Sequence, residues 1–355
     1  MKKTGRRYFI LGSLAVLAAA GVGGYKIWHE FGSLPEKAPH SSNWQNGAFS
    51  NLPDNYVYRN LEKESLESGG WLKFFLSRKG LRYPPAPVQA AKANFHSLKD
   101  GEFCWLGHSS FLIKLDGKII CIDPVLSSHA SPLPGIIPAW PGSNPYKPSD
   151  FPFIDYLFIS HDHWDHLDYK AVTSLSYGHA ICGKGVGAHF QRWSLPKPVE
   201  LDWQEEFQDG PLRFVFTPSH HFSGRGLAKN QSLWGGVAIN AGSAGKIYFT
   251  GDGGYGRHFA DIGKKYGPFD IIFPDSGQYN RAWNRVHMFP EQAVRSALDS
   301  RSALACPSHI GKFTLAWHAW NEPANRFSKA AKAERIKYIL PIIGEKWRID
   351  GTQSG

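Results

Sequence analysis

The sequence predicts an α/β protein in which mixed β-sheets carry helices on their outer faces. From about residue 102, short apolar runs rich in β-branched and aromatic residues recur, each bounded by Gly, Pro or Asp. Helical stretches such as 290–301 fall between some of these runs. Several runs end in a histidine or an aspartate, which is typical of a site built where strands meet loops.

Composition indicates an ordinary globular protein. The chain has 355 residues, of which 42% are hydrophobic and 20% charged, so it is neither disordered, collagenous nor disulfide-rich. The net charge is +10, but no run of Lys and Arg forms a dense patch, and no nucleic-acid partner is predicted. The four cysteines form no CxxC pair, and those within apolar runs are predicted to be small buried residues: Cys104, Cys121 and Cys306.

The first 28 residues have the pattern of an export signal. A basic head precedes an uncharged stretch from Tyr8 to Tyr25. The pair Arg6-Arg7 before Tyr8-Phe9-Ile10 resembles a twin-arginine signal. The alternatives are a general secretory signal or an uncleaved anchor, because the stretch nearly spans a bilayer. Residues 1–28 are therefore predicted to direct export, to the periplasm or to the inner membrane as an attached protein.

Residues 29–95 are predicted to form a linker and wrapping segment, with helical pieces at the ends of 60–80. Residues 96–350 are predicted to form the main domain. Within the main domain, 103–124 reads as two strands joined by Asp116-Gly117, a strong hairpin signal. A helix is predicted near 168–177. The further strands are predicted in 155–160, 212–217, 234–240, 246–252, 269–275 and 302–309.

The densest group of polar side chains is HDHWDH, residues 161–166, directly behind an apolar run. His161 and His163 are two residues apart, so in an extended backbone both point to one side and can hold one ion. A turn into the following helix would direct Asp165 and His166 towards a neighbouring ion. Burying so many polar groups without a metal would be costly.

Ligands from other strand ends would complete two adjacent sites. Asp252 is a carboxylate that both sites can share, and His309 would complete the second. The first site would take His220 or His221, because strand alternation lets only one of the two point to the ions. Nitrogen and oxygen ligands without thiolate favour two Zn²⁺, although iron or manganese also fits. Two such ions can hold a bridging hydroxide and clamp a phosphoryl group.

The segment SHDHWDH contains the HxHxDH signature of the metallo-β-lactamase fold superfamily. The longer segments FTPSHHFSGR, SLWGG, YFTGDGGYG and VHMFPEQAV resemble the N-acyl-phosphatidylethanolamine-hydrolysing phospholipase D family and its bacterial relatives. The likeness covers roughly residues 100–345. It implies a four-layer αβ/βα sandwich with a dinuclear zinc site between its sheets.

The resemblance also implies which residues form the site. His221 is favoured over His220, and His287 matches a position near the metals where proton transfer or phosphate contact is plausible. Asp165 and His287 are the candidate catalytic residues. The chain departs from the family pattern at Ile310-Gly311-Lys312, so acyl and head-group preference stay open. The implied metal ligands are His161, His163, Asp165, His166, His221, Asp252 and His309.

The function predicted from this resemblance is a phosphodiesterase of phospholipase D type, acting on N-acyl-phosphatidylethanolamine-like lipids through a metal-bridging hydroxide. Its partners would be a phospholipid or another small phosphodiester and a membrane surface, with a dimer as one option for its assembly. The alternatives are a hydrolase of a lactone or β-lactam, a nuclease, and a non-catalytic scaffold. The export signal argues against a nuclease, and the full ligand set argues against a scaffold.

Overall fold

The computed structural model of the protein describes residues 24, 27–37, 39–53 and 81–354. Most of the predicted export signal or anchor, and the predicted helical pieces of 60–80, lie outside these residues. Within the described ranges, no helix has the length and apolar character that crossing a membrane requires.

The described residues form a two-stranded hairpin and a first large sheet of seven strands. The hairpin consists of β1 (Trp44–Gln45) and β2 (Ala48–Phe49). The first large sheet has the order β16-β3-β4-β5-β6-β7-β8. Its strands are β3 (Glu102–Trp105), β4 (Phe111–Leu115), β5 (Lys118–Ile122), β6 (Ile154–Ile159), β7 (Tyr177–Gly183), β8 (Val199–Leu201) and β16 (Lys346–Arg348).

A second sheet of seven strands has the order β15-β14-β13-β12-β11-β10-β9. Its strands are β9 (Glu206–Asp209), β10 (Leu212–Thr217), β11 (Gly236–Asn240), β12 (Lys246–Phe249), β13 (Phe269–Phe273), β14 (Ser302–Ala305) and β15 (Lys337–Tyr338). In both sheets, antiparallel pairing at one side changes to parallel pairing at the other, beginning with β5–β6 and β12–β13. The carboxyl ends of the parallel strands therefore share one edge in each sheet.

The two sheets pack face to face through aromatic side chains. Phe111 of the first sheet lies 4.2 Å from Phe273 of the second, measured between ring centroids, and Phe103 lies 5.2 Å from the same ring. Phe158 contacts Phe216 across the same interface, with ring centroids 6.0 Å apart. This apolar layer fixes the separation of the sheets and so the distance between residues at their edges.

Helices cover the outer faces of the sandwich. The first two are short and contribute to the core around the first sheet: α1 (Tyr169–Ser174) and α2 (Gly187–Arg192). The other three pack on the outer side of the second sheet: α3 (His258–Lys265), α4 (Pro290–Asp299) and α5 (Glu322–Ala333). The prediction of a mixed α/β sandwich is confirmed, and so are the helices expected near 168–177 and 290–301.

One sequence prediction is wrong in its detail. Residues 103–124 form three strands, because the first expected strand breaks between β3 and β4. Gly107 and His108 both have positive φ, of 87° and 55°, which an extended strand cannot contain. The Asp116-Gly117 turn between β4 and β5 is present as predicted, with φ of 50° and 74°.

All four cysteines are buried and unpaired: Cys104, Cys121, Cys182 and Cys306. The predicted role of those in apolar runs as small core residues is confirmed.

Candidate metal centre

Histidines and carboxylates converge at the strand ends of both sheets. The loop after β6 carries His161, His163, Asp165 and His166. The second sheet contributes one residue after each of β10, β12 and β14, namely His221, Asp252 and His309. The structure thus brings together all seven residues that the sequence analysis selected as ligands.

The first group consists of three imidazoles. Nε2 of His161 lies 2.9 Å from Nδ1 of His163, which lies 3.3 Å from Nε2 of His221. Nitrogen ligands at 2.0–2.1 Å from a tetrahedral zinc ion are about 3.3 Å apart, so the spacing fits one such ion. Burial lowers the pKa of all three histidines, which keeps their ring nitrogens neutral and able to bind a cation.

The second group contains Asp165, His166 and His309. Oδ2 of Asp165 lies 3.5 Å from Nε2 of His166 and 3.3 Å from Nε2 of His309. Burial opposes protonation of His309, but the negative charges of Asp252 and Asp275 outweigh it and raise the pKa to about 10. This group therefore attracts positive charge, which a divalent ion can supply.

Asp252 lies between the two groups. Its Oδ2 is 3.1 Å from Nε2 of both His166 and His309, and 4.0 and 3.9 Å from Nε2 of His161 and His221. Among the described residues, the buried Oδ1 of Asp252 makes no hydrogen bond. A buried polar atom without a partner is costly, and a bound cation would satisfy it. The His/Asp cluster is thus suited to metal.

Hydrogen bonds behind the cluster orient the histidines. Nδ1 of His166 lies 2.8 Å from Asp123, which follows β5, and Nδ1 of His221 lies 2.9 Å from the carbonyl of Val286. Asp275, which follows β13, contacts Nδ1 of both His287, at 2.9 Å, and His309, at 3.3 Å. Fixing Nδ1 in this way leaves Nε2 directed towards the cluster.

Sequence reasoning missed three members of this arrangement. Asp123, Asp275 and His108 were not among the residues that the sequence analysis selected. His108 lies in the break between β3 and β4 and places Nε2 2.8 Å from Oδ2 of Asp165. Burial lowers the pKa of His108 to about 3, so the neutral ring donates this hydrogen bond. The only sequence signal was Gly107-His108 within an otherwise apolar stretch.

The choice between the adjacent histidines follows the sequence prediction. His221 belongs to the first group, whereas His220 lies close enough to His258 to affect its titration, away from the cluster. His287 lies at the edge of the site, with its ring centroid 5.0 Å from that of His221 and 4.9 Å from that of His309.

A cleft of 390 Å³ opens onto the cluster. Its polar wall includes His163, Asp165, Asp252, His287 and His309. Its remaining wall is mostly apolar and is formed by Ala130, Ile137, Trp164, Phe222, Gln278, Trp283, Val286 and Leu315. The cleft therefore suits a substrate that joins a charged group to an apolar one.

Comparison with known proteins agrees with this site. The family model described as "Beta-lactamase superfamily domain" matches residues 119–310, more than half of the chain. Fold and cluster together define the class, a metal-dependent hydrolase with the metallo-β-lactamase fold. The chain belongs to the beta-lactamase superfamily, and the resemblance stated from its motifs is confirmed.

Individual relatives cover most of the chain. An uncharacterized protein of Mycobacterium tuberculosis (strain ATCC 25618 / H37Rv) is 37% identical over 330 residues, which are 90% of this chain and 87% of the relative. N-acyl-phosphatidylethanolamine-hydrolyzing phospholipase D 1 of Caenorhabditis elegans is 30% identical over 290 residues, 74% of this chain and 80% of the relative. The solved isothiocyanate hydrolase from Delia radicum gut bacteria has a TM-score of 0.55 at 19% identity, covering 72% of this chain and 100% of that one. At that identity the likeness shows the fold alone.

Proposed function

We propose that this protein is a dinuclear zinc phosphodiesterase of phospholipase D type that acts on N-acyl-phosphatidylethanolamine-like lipids. The observation that carries the proposal is the position of Asp252, whose carboxylate lies between two separate ligand groups. A shared carboxylate would hold two ions close together, the arrangement found in many enzymes that cleave phosphate esters.

The ligand assignment follows the two groups. His161, His163 and His221 would hold one ion, and Asp165, His166 and His309 the other, with Asp252 shared. Zinc is the proposed metal because the donors are nitrogen and oxygen without thiolate, and iron or manganese is the alternative. Bound ions of this kind lower the pKa of coordinated water and polarise a phosphoryl oxygen.

The cleft supports a lipid as the substrate. Apolar side chains such as Ile137, Phe222 and Leu315 stand directly beside the ligand groups. The nearby loop 131–136 is uncharged and exposes Leu133 and Ile136, which are 45% and 60% exposed. An amphiphile could place its phosphate at the cluster and its chains along these surfaces. The C. elegans relative, named for such a substrate, supports the same choice.

His287 and Asp165 have distinct proposed roles. Asp275 holds Nδ1 of His287, so Nε2 is available to the cleft that His287 lines. When water attacks phosphorus, the bond to the N-acylethanolamine oxygen breaks and phosphatidate remains. His287 would give a proton to that leaving oxygen. Asp165 would bind metal and, through its bond to His108, stay fixed in orientation.

The test is mass spectrometry of a lipid extract before and after incubation with the purified protein. We expect N-acyl-phosphatidylethanolamine to fall while N-acylethanolamine and phosphatidate rise in equal amounts. His163→Ala should abolish the change because a ligand is lost. His96→Ala, which removes an exposed histidine outside the cluster, is the matched control and should leave it intact.

Parallel assays on a lactone and a β-lactam separate this proposal from the other hydrolase activities. Turnover of either compound, with no phosphodiester cleaved by metal-loaded protein, would refute the phosphodiesterase assignment. Salt-dependent cleavage of RNA would instead indicate a nuclease.

We also propose that the protein is exported through the twin-arginine route and works at a membrane surface. Replacing Arg6 and Arg7 together by Lys should block translocation, because the route reads the paired arginines. The measurement is cell fractionation with the main domain as the antigen. Unchanged export of the double variant would point to the general secretory route.

A further inference from the structure

A single buried side chain holds both ends of the loop that carries four of the proposed ligands. Nη1 of Arg225 donates to the carbonyl of Asp162, at 3.1 Å, and to that of Leu167, at 2.6 Å. These carbonyls bracket His163, Asp165 and His166. Arg225 is only 5% exposed, and its guanidinium lies 3.8 Å from the ring centroid of Trp164, in the same loop.

The other end of this guanidinium contacts a distant part of the chain. Nη2 of Arg225 donates to the carbonyl of Glu30, at 2.9 Å. Phe31 packs edge-on against Trp164, with ring centroids 5.1 Å apart, and Trp193 donates its indole N–H to the carbonyl of His29, at 2.8 Å. We call residues 27–34 the N-terminal brace.

A second route joins the brace to the same loop. The amide of Ser33 donates to Nδ1 of His189, at 3.2 Å, and Nε2 of His189 lies 3.1 Å from Oδ2 of Asp162. The acceptor role of Nδ1 places the ring proton on Nε2, which donates to the carboxylate. The other oxygen of Asp162 accepts from the amide of Gly224, at 2.6 Å. Asp162 stands between two proposed ligands, His161 and His163, but its carboxylate contacts His189 and Gly224 instead of the ligand groups.

We propose that the N-terminal brace, acting through the positioning residues Arg225 and His189, sets the geometry of the ligand loop and thereby the metal affinity of the site. The inference rests on the proposed metal binding and goes beyond it, because no residue of the brace lines the cleft. The part of the chain that controls the proposed metal site would thus begin before residue 34, far ahead of residues 119–310, which the family model matches.

The contacts of the guanidinium explain why residue 225 is an arginine. A planar guanidinium can reach three carbonyls in fixed directions and stack on an indole at once, which a lysine ammonium cannot. Losing it leaves the buried carbonyls of Asp162 and Leu167 without these donors. Mutation of outer groups that orient metal ligands in this way usually weakens metal binding by about 10- to 100-fold.

Gly32 allows the brace to be displaced without altering Arg225, His189 or any ligand. Its φ is 76°, and a Cβ built there would overlap Nδ1 of His189. Gly47 provides a matched control, because its φ is 81° and nothing lies within 4 Å of an added Cβ. Both Gly→Ala changes carry the same backbone strain, but only Gly32→Ala disturbs the brace.

The experiment measures the zinc dissociation constant of the full chain by competition with a chromophoric chelator. Gly32→Ala and Arg225→Lys should each weaken zinc binding by about 10- to 100-fold. Gly47→Ala and Arg213→Lys, the latter at an exposed arginine paired with Glu206, should bind as the wild type does. Hydrogen exchange should show faster exchange of the brace and of 161–167 in both test variants.

The possible results distinguish a failure of the brace inference from a failure of the proposed metal binding. Wild-type zinc affinity in folded Gly32→Ala and Arg225→Lys chains would overturn the inference while leaving the metal site in place. A wild-type chain that binds no metal would overturn both this inference and the proposed function. If Arg225→Lys does not fold, the comparison of Gly32→Ala with Gly47→Ala decides by itself.

Discussion

At the scale of single residues, Asp252 has the largest predicted effect. Among the described residues, it is the one carboxylate within 4.0 Å of histidines of both ligand groups. Asp252→Ala should weaken both ions together, by more than about 100-fold, and reduce hydrolysis by orders of magnitude. Asp252→Asn keeps the shape but loses the charge, so it should bind metal more tightly than Asp252→Ala and less tightly than wild type. The measurement is metal content and affinity by titration of the apoprotein.

The control for this prediction is Asp261→Asn, a change at an exposed aspartate of α3. It should leave both ions bound. Two ions held with unchanged affinity in Asp252→Ala would reduce Asp252 to a turn residue before Gly253 and remove the shared ligand from the mechanism.

The residue scale also shows what sequence can and cannot predict here. His161, His163 and His166 were recognisable because they lie together in one short polar stretch after a strand. His221, Asp252 and His309 were recognisable because each follows an apolar run. His108 and Asp275 carry no such local signal, since their role depends on which side chains the fold places against Asp165, His287 and His309.

At the scale of elements, the loop after β14 is tied to the loop after β5 by Lys312. Its ammonium donates to the carbonyl of Val125, at 2.6 Å, and burial lowers its pKa from 10.5 to about 8. Between these two values the unfolded chain holds a proton that the folded chain has released. Stability should therefore rise with pH from 8 to 10.5, by up to about 3 kcal/mol from this group.

Lys312→Met should remove that rise, because no proton is then released. The measurement is the free energy of unfolding in urea at several pH values across this range, taken as wild type minus variant. Lys265→Met is the control and should keep the rise, since the exposed ammonium of Lys265 donates to Oε1 of Gln204, at 2.8 Å, and is not one of the charges that shift the pKa of Lys312. Equal pH slopes for wild type and Lys312→Met would contradict the assignment.

The departures from predicted element boundaries have local causes. The strand expected through residue 107 stops because Gly107 and His108 take left-handed conformations, and hydropathy alone does not encode that. The helix after the ligand loop begins at Tyr169, where Asp168 caps it and also accepts from the amides of Leu126 and Ser127. A capping aspartate is common at a helix start, but the second role of Asp168, which joins two loops, depends on the fold and has no local sequence signal.

At the scale of the whole molecule, the proposed ions would join the two sheets. One sheet supplies the loop after β6, and the other supplies His221, Asp252 and His309. Binding to the folded state alone raises stability by about 4 kcal/mol when free metal is 1,000 times its dissociation constant. We expect the thermal unfolding midpoint to fall on chelation and to recover when Zn²⁺ is restored.

Asp252→Ala should show little of this response, because it weakens both ligand groups. The comparison is made by scanning each protein with chelator and with excess Zn²⁺. An unfolding midpoint of wild type that chelator leaves unchanged would show that the sheets are held by their aromatic interface alone.

If the chain is exported as proposed, its buried cysteines have a consequence for the redox chemistry of that step. In the folded molecule all four thiols are inaccessible, and burial raises the pKa of Cys104 to about 12, so reactive thiolate is scarce. An unfolded chain that met an oxidising compartment would expose all four, with three ways to pair them completely and none of them native. A chain that folds in the reducing cytoplasm and crosses the membrane afterwards avoids that oxidative misfolding.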